Sequence, residues 1–491
     1  MSCTSPRSRS FLPIALLASM LALVLLPGGC KFVGVDYEQP EVALPDQWHQ
    51  KIEEGSFGGR SDLDEWWKLF GDPVLDDLLT RAVTANRGLA AAQERLLQGR
   101  FALRSARSGL LPGLDGASGY RRERTSENIG RPPVLGGGQT QDYYSLGVDA
   151  SWELDLLGGV RRGIEASEAE MEASEERYRD TLVLLLSDVA ASYIDLRMIE
   201  ERIRLMRNNV LIQKESLQIA RDRFESGLTA KLDVTQAEAN LAYTRALLPQ
   251  LRQERVAAIN RLAVLTGGYA SGLESVVAGN RPVPAPRESV AVGLPVELIR
   301  ARPDVRAAER ELAARTARIG VAEADLYPRF SLSGTFELLA NSGGDVFDLD
   351  SADYGFGPAL RWNLFNGGRV RSQIAIEESR TREALLEYEN TVLRAVEEVE
   401  VSMGAIANES RRLASLKAGT EASRETVSLV KENYARGLVD FQNVLDAERT
   451  LTQLEDEQAL SKGRVARSHV ALFKALGAGR PPAQPDESGQ G

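Results

Sequence analysis

Two periodicities divide the chain. From Tyr144 to Leu154 every second residue is apolar: Tyr144, Leu146, Val148, Ala150, Trp152 and Leu154 are interleaved with the polar Ser145, Asp149, Ser151 and Glu153. Tyr354, Phe356, Leu360, Trp362 and Leu364 alternate likewise with Gly355, Gly357, Arg361 and Asn363, and Phe330, Leu332 and Phe336 with Ser331, Ser333 and Thr335. A period of two predicts strands with one apolar face. A weaker strand is expected near Leu114 to Tyr120. Elsewhere the apolar residues step by three and four, as in Leu182, Leu186, Val189, Tyr193, Leu196, Ile199, Ile203, Met206 and Val210, which marks the seam of a long helix. No proline interrupts residues 159–226, and a helix of that length spans roughly 100 Å. A second long helix is expected from about Arg369 to Tyr434. Shorter helices are expected at roughly 76–108 with 230–266, and at roughly 303–325 with 440–476, each pair stacked beside a long partner.

The pattern is written twice. Trp152 and Trp362, Arg161 and Arg371, Gly227 and Gly437, Leu228 and Leu438, Glu238 and Glu448, and Gly267 and Gly477 all stand 210 positions apart. Upstream the offset becomes 216, as for Pro112 and Pro328, because the first copy has a longer hairpin loop. Each copy reads as helix, strand, loop, strand, long helix, sharp turn, helix. A fixed offset of this kind is the mark of a duplicated unit. The expected organisation is a leader at 1–29, an N-terminal segment at 30–75, a first repeat at 76–267, a linker or belt at 268–295, a second repeat at 296–477 and a disordered tail at 478–491. Asp72-Pro73 and Arg302-Pro303-Asp304 each put proline in a first helical turn with an acid nearby, which suits the exposed N–H groups and the helix dipole.

The N-terminus changes the picture by adding a destination. Arg7 and Arg9 precede an apolar run from Phe11 to Leu26 that ends in Pro27-Gly28-Gly29-Cys30, the layout of a secretory signal peptide. The run is shorter than the roughly 20 residues a spanning helix needs, so removal is expected rather than anchoring. Cys30 resembles the acceptor cysteine of bacterial lipoproteins, which carries a diacylglycerol and an N-terminal acyl chain; two such signals give stable anchorage where one is marginal. Pro27 departs from the leucine usual at that place. Lys31 is not the aspartate that retains such proteins in the inner membrane of enteric bacteria. Cys3 is the only other cysteine and lies within the leader, so the mature chain can form no internal disulfide.

Removing the two leader arginines takes the formal charge from −11 to −13. A nucleic-acid partner is therefore not expected. His49 and His469 are far apart, there is no Gly-rich phosphate loop, and no catalytic or metal-ligating set stands out, so no enzyme activity and no metal site are expected. Strands of about 10 residues with an apolar face suit either a half-buried soluble sheet or a barrel in the outer membrane, and export favours the barrel. Four strands cannot close a barrel, and open edges are not tolerated in lipid. Several chains must then share one barrel, and three would give twelve strands. Without the strands, the helical seams would favour a plain coiled-coil rod, a structural lipoprotein without a pore.

Cys30-Lys-Phe-Val-Gly-Val-Asp-Tyr-Glu-Gln-Pro40, Trp66-Trp-Lys-Leu-Phe-Gly-Asp-Pro-Val-Leu-Asp-Asp-Leu-Leu79, Trp152-Glu-Leu-Asp-Leu-Leu-Gly158, Arg302-Pro-Asp-Val-Arg-Ala-Ala-Glu309 and Val439-Asp-Phe-Gln-Asn-Val-Leu-Asp-Ala-Glu-Arg-Thr-Leu451 resemble the NodT-type branch of the TolC-like outer-membrane efflux lipoproteins. The resemblance covers nearly the whole mature chain. It implies an α+β membrane protein, a trimeric 12-stranded β-barrel continued by a long periplasmic α-helical barrel. It also implies a periplasmic membrane-fusion adaptor and an inner-membrane pump of the resistance-nodulation-division (RND) type as partners, passive exit of small toxic compounds or drugs, and no cofactor beyond the lipid on Cys30. Metal-cation efflux and type I protein secretion remain alternatives within the same architecture. In that family the helical hairpin tips close like an iris. By position, Asp233 and Tyr434 match a pair that latches the tips, and Asn443 and Asp446 match two rings of acids at the constriction, of which only Asp446 is acidic here; Asp440 is a weaker candidate for the same ring. Val439 stands where an arginine latch is known. A carboxylate ring at a constriction would attract cations and resist anions, whereas a solvated helix-cap aspartate would do neither.

Overall fold

The computed structural model describes residues 33–42, 44–50, 64–126, 128, 138–279, 281–286 and 295–479. The expected leader, Cys30 and the residues after 479 lie outside them. Contacts divide the chain into two compact units, a sheet unit of residues 1–37, 104–167 and 314–381 and a helical unit of residues 38–103, 168–313 and 382–491. Each unit draws on both repeats, so the sequence duplication does not produce two separate domains. A lone two-stranded hairpin is marginal, and two hairpins side by side make one sheet.

In the sheet unit β1 (Gly113–Arg124), β2 (Thr140–Leu154), β3 (Arg329–Ala340) and β4 (Ala352–Arg361) form one antiparallel sheet in the order β1-β2-β3-β4. Among the described residues β1 and β4 are each paired on one side only. The register aligns the apolar residues of neighbouring strands: Leu146 is opposite Leu338, Trp152 opposite Leu332, and Phe336 lies between Val148 and Tyr354. All of these fall on one face because side chains alternate across a strand. That face is bare in the single chain, with Tyr354 at 72% and Phe356 at 85% exposure. The other face carries Asp149, Ser151, Ser333 and Thr335. β1, expected as a weak strand over seven residues, runs for 12, because its backbone completes the ladder with β2 whatever its side chains.

The apolar face has aromatic residues at both ends. Tyr120 and Tyr144 lie 4.9 Å apart, ring to ring, toward the β1–β2 hairpin. At the opposite end Trp152 and Trp362 donate Nε1–H to the carbonyls of Leu110 and Leu326, each at 3.0 Å. These two bonds join equivalent residues of the two copies. Half-solvated indoles with a satisfied N–H are typical of membrane interfaces. No helix among the described residues is long and apolar enough to cross a membrane.

The helices keep the duplication to the residue. α1 (Pro73–Ala85) and α2 (Arg87–Ser108) precede β1, α3 (Gly159–Glu225) and α4 (Lys231–Leu265) follow β2, α5 (Ala270–Leu273) lies between the copies, and α6 (Pro295–Arg300) stands at the start of the second. α7 (Pro303–Ala324), α8 (Arg369–Ala435) and α9 (Phe441–Ala475) complete the second copy. α3 and α8 are 67 residues each, α4 and α9 are 35 each, and α2 and α7 are 22 each. The one helix expected at 76–108 is broken at Asn86. Its backbone turns extended, its Oδ1 accepts from Leu89 N to cap α2, and its Nδ2 donates to the last carbonyl of α4, on Leu265, at 2.8 Å. Its copy-mate Arg302 donates to the equivalent carbonyl of Ala475 at 2.6 Å.

Gly267 shows why those joints need glycine. It ends α4 at φ +75°, and a Cβ there would lie 2.2 Å from the carbonyl oxygen of Ala85. Its copy-mate Gly477 has φ +65° and closes on Arg302 and Pro303. Left-handed backbone combined with this contact leaves no room for a side chain.

The core of the helical unit is the predicted seam of α3. Leu182, Leu186, Val189, Tyr193, Leu196, Ile199, Ile203, Met206 and Val210 are all buried. Trp66 stacks on Phe473 at 4.9 Å, and Leu75, Leu78 and Leu79 of α1 join them. Each such side chain contributes about 1.5–3 kcal/mol on burial. Asp72 caps α1 by accepting from Val74 N, and the same carboxylate accepts the Tyr193 hydroxyl at 2.6 Å, which ties the cap to the seam. The segment expected as a linker or belt at 268–295 is packed where it is described: Leu273, Val277 and Val283 enter the same core.

Candidate functional site

The helical unit has two hairpin turns, α3 to α4 and α8 to α9. At the first, Gly227 takes φ +67° and Leu228 N–H bonds back to the carbonyl of Arg223 at 2.9 Å. At the second, Gly437 takes φ +76° and Leu438 N–H bonds to Asn433 at 2.9 Å. Both are Schellman-type helix ends, in which a left-handed glycine lets the chain reverse and satisfies a terminal carbonyl.

Asp233 and Tyr434, 201 positions apart, meet here: the Tyr434 hydroxyl donates to Asp233 Oδ2 at 2.9 Å. Thr229, in the first turn, donates to the same oxygen. Tyr434 is only 3% exposed and packs against Phe441, with ring centroids 5.1 Å apart. Burial first, and the Asp233 carboxylate second, push the phenol above its ordinary pKa, so it stays protonated and remains a donor. Arg223 holds the other side. Its guanidinium lies 4.8 Å from the Tyr434 ring centroid and donates to the carbonyls of Tyr434 at 2.8 Å and Ala435 at 3.0 Å. A cation on the last carbonyls of α8 is favourable to that helix end.

The other candidates lie apart from this pair. Asn443 and Asp446 are exposed on α9 and face one groove, of about 420 Å³, with Gly419, Thr426 and Val430 of α8. Asp446 accepts from Gln442 Nε2 at 2.9 Å. Asp440 stands at the start of α9; its carbonyl accepts from Asn443 Nδ2 at 3.3 Å and its own side chain caps nothing. In one chain these three carry no carboxylate cluster. Cys30 lies outside the described residues, and among the described residues no group of three or more His, Cys, Asp or Glu is arranged to hold a metal.

The residues that support this pair carry no mark within a single copy of the sequence. Arg223 and Thr229 were legible only by comparing the copies, since their mates are Asn433 and Val439. In the sequence Glu448 is half of a repeated pair, and nothing local marks it as buried. Its carboxylate accepts from Ser216 at 2.5 Å and Asn240 at 3.2 Å, and burial pushes its pKa up. Its mate Glu238 is exposed and paired with Arg221 at 2.6 Å.

Comparison with known proteins places this architecture. A solved structure described as the outer-membrane channel OprN is 34% identical, covers 90% of this chain and 99% of its own, and has a TM-score of 0.81. Nodulation protein T of Rhizobium leguminosarum bv. trifolii is 30% identical over 472 residues, 93% of this chain and 96% of that protein. The pyoverdine export outer membrane protein OpmQ of Pseudomonas aeruginosa is 31% identical over 464 residues, 94% of this chain and 96% of that protein. The sequence profile of the family described as outer membrane efflux protein matches residues 78–268 and 294–478. With both repeats matched, the sheet and the long helices built on them are those of an efflux channel rather than an enzyme, and the chain belongs to the outer membrane efflux protein family.

Proposed function

We propose that the chain is the outer-membrane channel of a tripartite efflux pump, working as a homotrimer. In this reading it is anchored through acyl groups on Cys30 and gives passive exit to small toxic compounds that an inner-membrane pump delivers with a periplasmic adaptor. The observation that carries this reading is the four-stranded sheet with a bare apolar face and two half-paired edges. In lipid every backbone polar group must be satisfied, so β4 of one chain must pair with β1 of the next until the ring closes. The strands alternate in direction, and that head-to-tail contact preserves the alternation. An edge paired with its own copy would invert one chain in the membrane. A small-molecule cargo is supported by the relative named for pyoverdine export.

In this reading the hairpin tips are the gate and the Tyr434–Asp233 bond is its latch. Asp446, with Asn443 beside it and Asp440 at the helix start, would face the constriction, where three symmetry-related carboxylates favour cations. The test is native mass in mild detergent followed by conductance in planar bilayers. A species of three acylated chains is expected. Asp233→Ala combined with Tyr434→Phe is expected to raise the conductance of the closed channel. A persistent monomer would remove the shared barrel, and unchanged conductance of the double variant would remove the latch.

A further inference from the structure

The first described residues of the mature chain are built into the sheet unit at one point. Arg162, near the start of α3, is 6% exposed although it carries a full charge. Its Nε donates to the carbonyl of Val33 at 3.0 Å, its Nη2 to Asp36 at 2.6 Å, and its Nη1 to Glu165 at 2.7 Å. Val33 N–H donates to the carbonyl of Leu157 at 3.2 Å. Between these bonds Gly34, at φ +102°, lies flat on Gly320 of α7. A Cβ on Gly34 would come within 2.6 Å of Gly320 Cα, and one on Gly320 within 2.8 Å of the Val33 carbonyl. Two backbones in contact and an arginine forked over both sides of them make a seat with no slack.

The seat breaks the internal repeat. Arg162 has Ser372 as its copy-mate, Glu165 has Ala375 and Gly320 has Arg104, so none of the three is kept in the other copy, where Ser372 and Arg104 are exposed. A helix start on an ordinary surface has no use for a buried arginine, since burying a charge is costly unless it is fully paired. The departures meet only where the N-terminal segment passes.

We infer that Arg162, Glu165, Gly320 and Gly34 form a docking seat that fixes the lipidated N-terminus against the base of the barrel, so that its acyl chains enter the periplasmic leaflet beside the sheet. The position supports this. The seat adjoins Leu157, directly after the end of β2 that carries Trp152, the interfacial end of the apolar face. Cys30 precedes Val33 by three residues, a reach of at most about 10 Å. The acyl chains of so short a tether can meet only the leaflet nearest that rim. The anchor then acts as a rigid pin on the barrel and not as a leash.

This inference rests on the acylation of Cys30, and the test separates the two. Hydrogen exchange of the amides of residues 33–36 is followed in the full-length protein reconstituted in phosphatidylethanolamine and phosphatidylglycerol vesicles, with the N-terminal peptide weighed in parallel. Arg162→Met and, separately, Gly320→Leu are each expected to speed exchange of these amides about tenfold or more while the acyl mass is unchanged, with Arg162→Lys in between. Wild-type exchange as fast as that of Arg162→Met would overturn the seat. Slow exchange on a peptide carrying no acyl mass would overturn its role in anchoring and leave an intramolecular strap.

Discussion

At the end of α3 the chain reads Arg223-Phe224-Glu-Ser-Gly-Leu228, and at the end of α8 Asn433-Tyr434-Ala-Arg-Gly-Leu438, with the same backbone turn at both. The side chains part ways. Tyr434 is buried and bonded to Asp233, whereas its mate Phe224 is 42% exposed and the mate of Asp233 is the exposed Asn443. One cross-hairpin bond of two possible ones is made. Duplication supplied two equivalent turns, and a hydroxyl and a carboxylate were placed where they meet once per chain. In the gate proposed above, this one bond is the contact that would have to break for the two hairpins to part.

The largest expected effect is on Tyr434 itself. Tyr434→Ala removes a buried ring and is expected to destabilise the helical unit by about 3–5 kcal/mol, read by chemical denaturation in detergent. Phe224→Ala, at the matching place, is expected to cost under about 0.5 kcal/mol. Equal costs at the two sites would end the contrast.

A smaller effect separates the copies within their long helices. Asp180 in α3 has Asn390 as its mate in α8. Burial, with Asp304 next, pushes the Asp180 carboxyl up to about 6. Its folded pKa thus lies above the ordinary 3.8, so the folded state binds the extra proton. The associated stability is full below that ordinary value and is lost as pH rises toward 6. Asp180→Asn, which copies the second repeat, is expected to stabilise the protein by about 1–2 kcal/mol at pH 7.5, allowing for the partial exposure of the site. Near pH 4 the gain should shrink to little. Melting curves at the two pH values check it, and a gain independent of pH would remove the titration of Asp180 as its cause.

The smallest expected effect builds the missing bond. Phe224→Tyr with Asn443→Asp puts the latch pair at the second site, and a gain of no more than about 1 kcal/mol is expected, because both positions are solvated. Closed-state conductance of this variant should fall if the geometry is reproduced. Unchanged conductance would mean that the setting of the pair, with Thr229 on Asp233 and Arg223 on Tyr434, is needed as well as the pair itself.

Much of the fold was legible because its determinants are local and repeated. The 67-residue helices end at glycines that recur at a fixed offset, and the strands alternate because one face is apolar and the other is not. The break at Asn86 was hidden, since asparagine is tolerated inside helices and only its bond to the Leu265 carbonyl makes it a joint. Its mate Arg302 was legible through the proline that follows. The segment after Gly267 read as a linker because its glycines and prolines speak for turns, while Val277 and Val283 are buried only by elements distant in sequence.

The sequence by itself determined the duplication, the element types and the apolar sheet face, all of which follow from periodicity, spacing and residue type; the pairing of residues 233 and 434 was implied only by the family resemblance. Only the tertiary structure decided which member of each repeated pair is put to use. Glu238 and Glu448 are the same residue at the same place in each copy, yet one faces water beside Arg221 and the other is sealed under Ser216 and Asn240. The reason is physical: burial, and with it the strength of a hydrogen bond or the cost of a charge, is a property of what other elements bring to a site. Identical local sequence cannot carry that information.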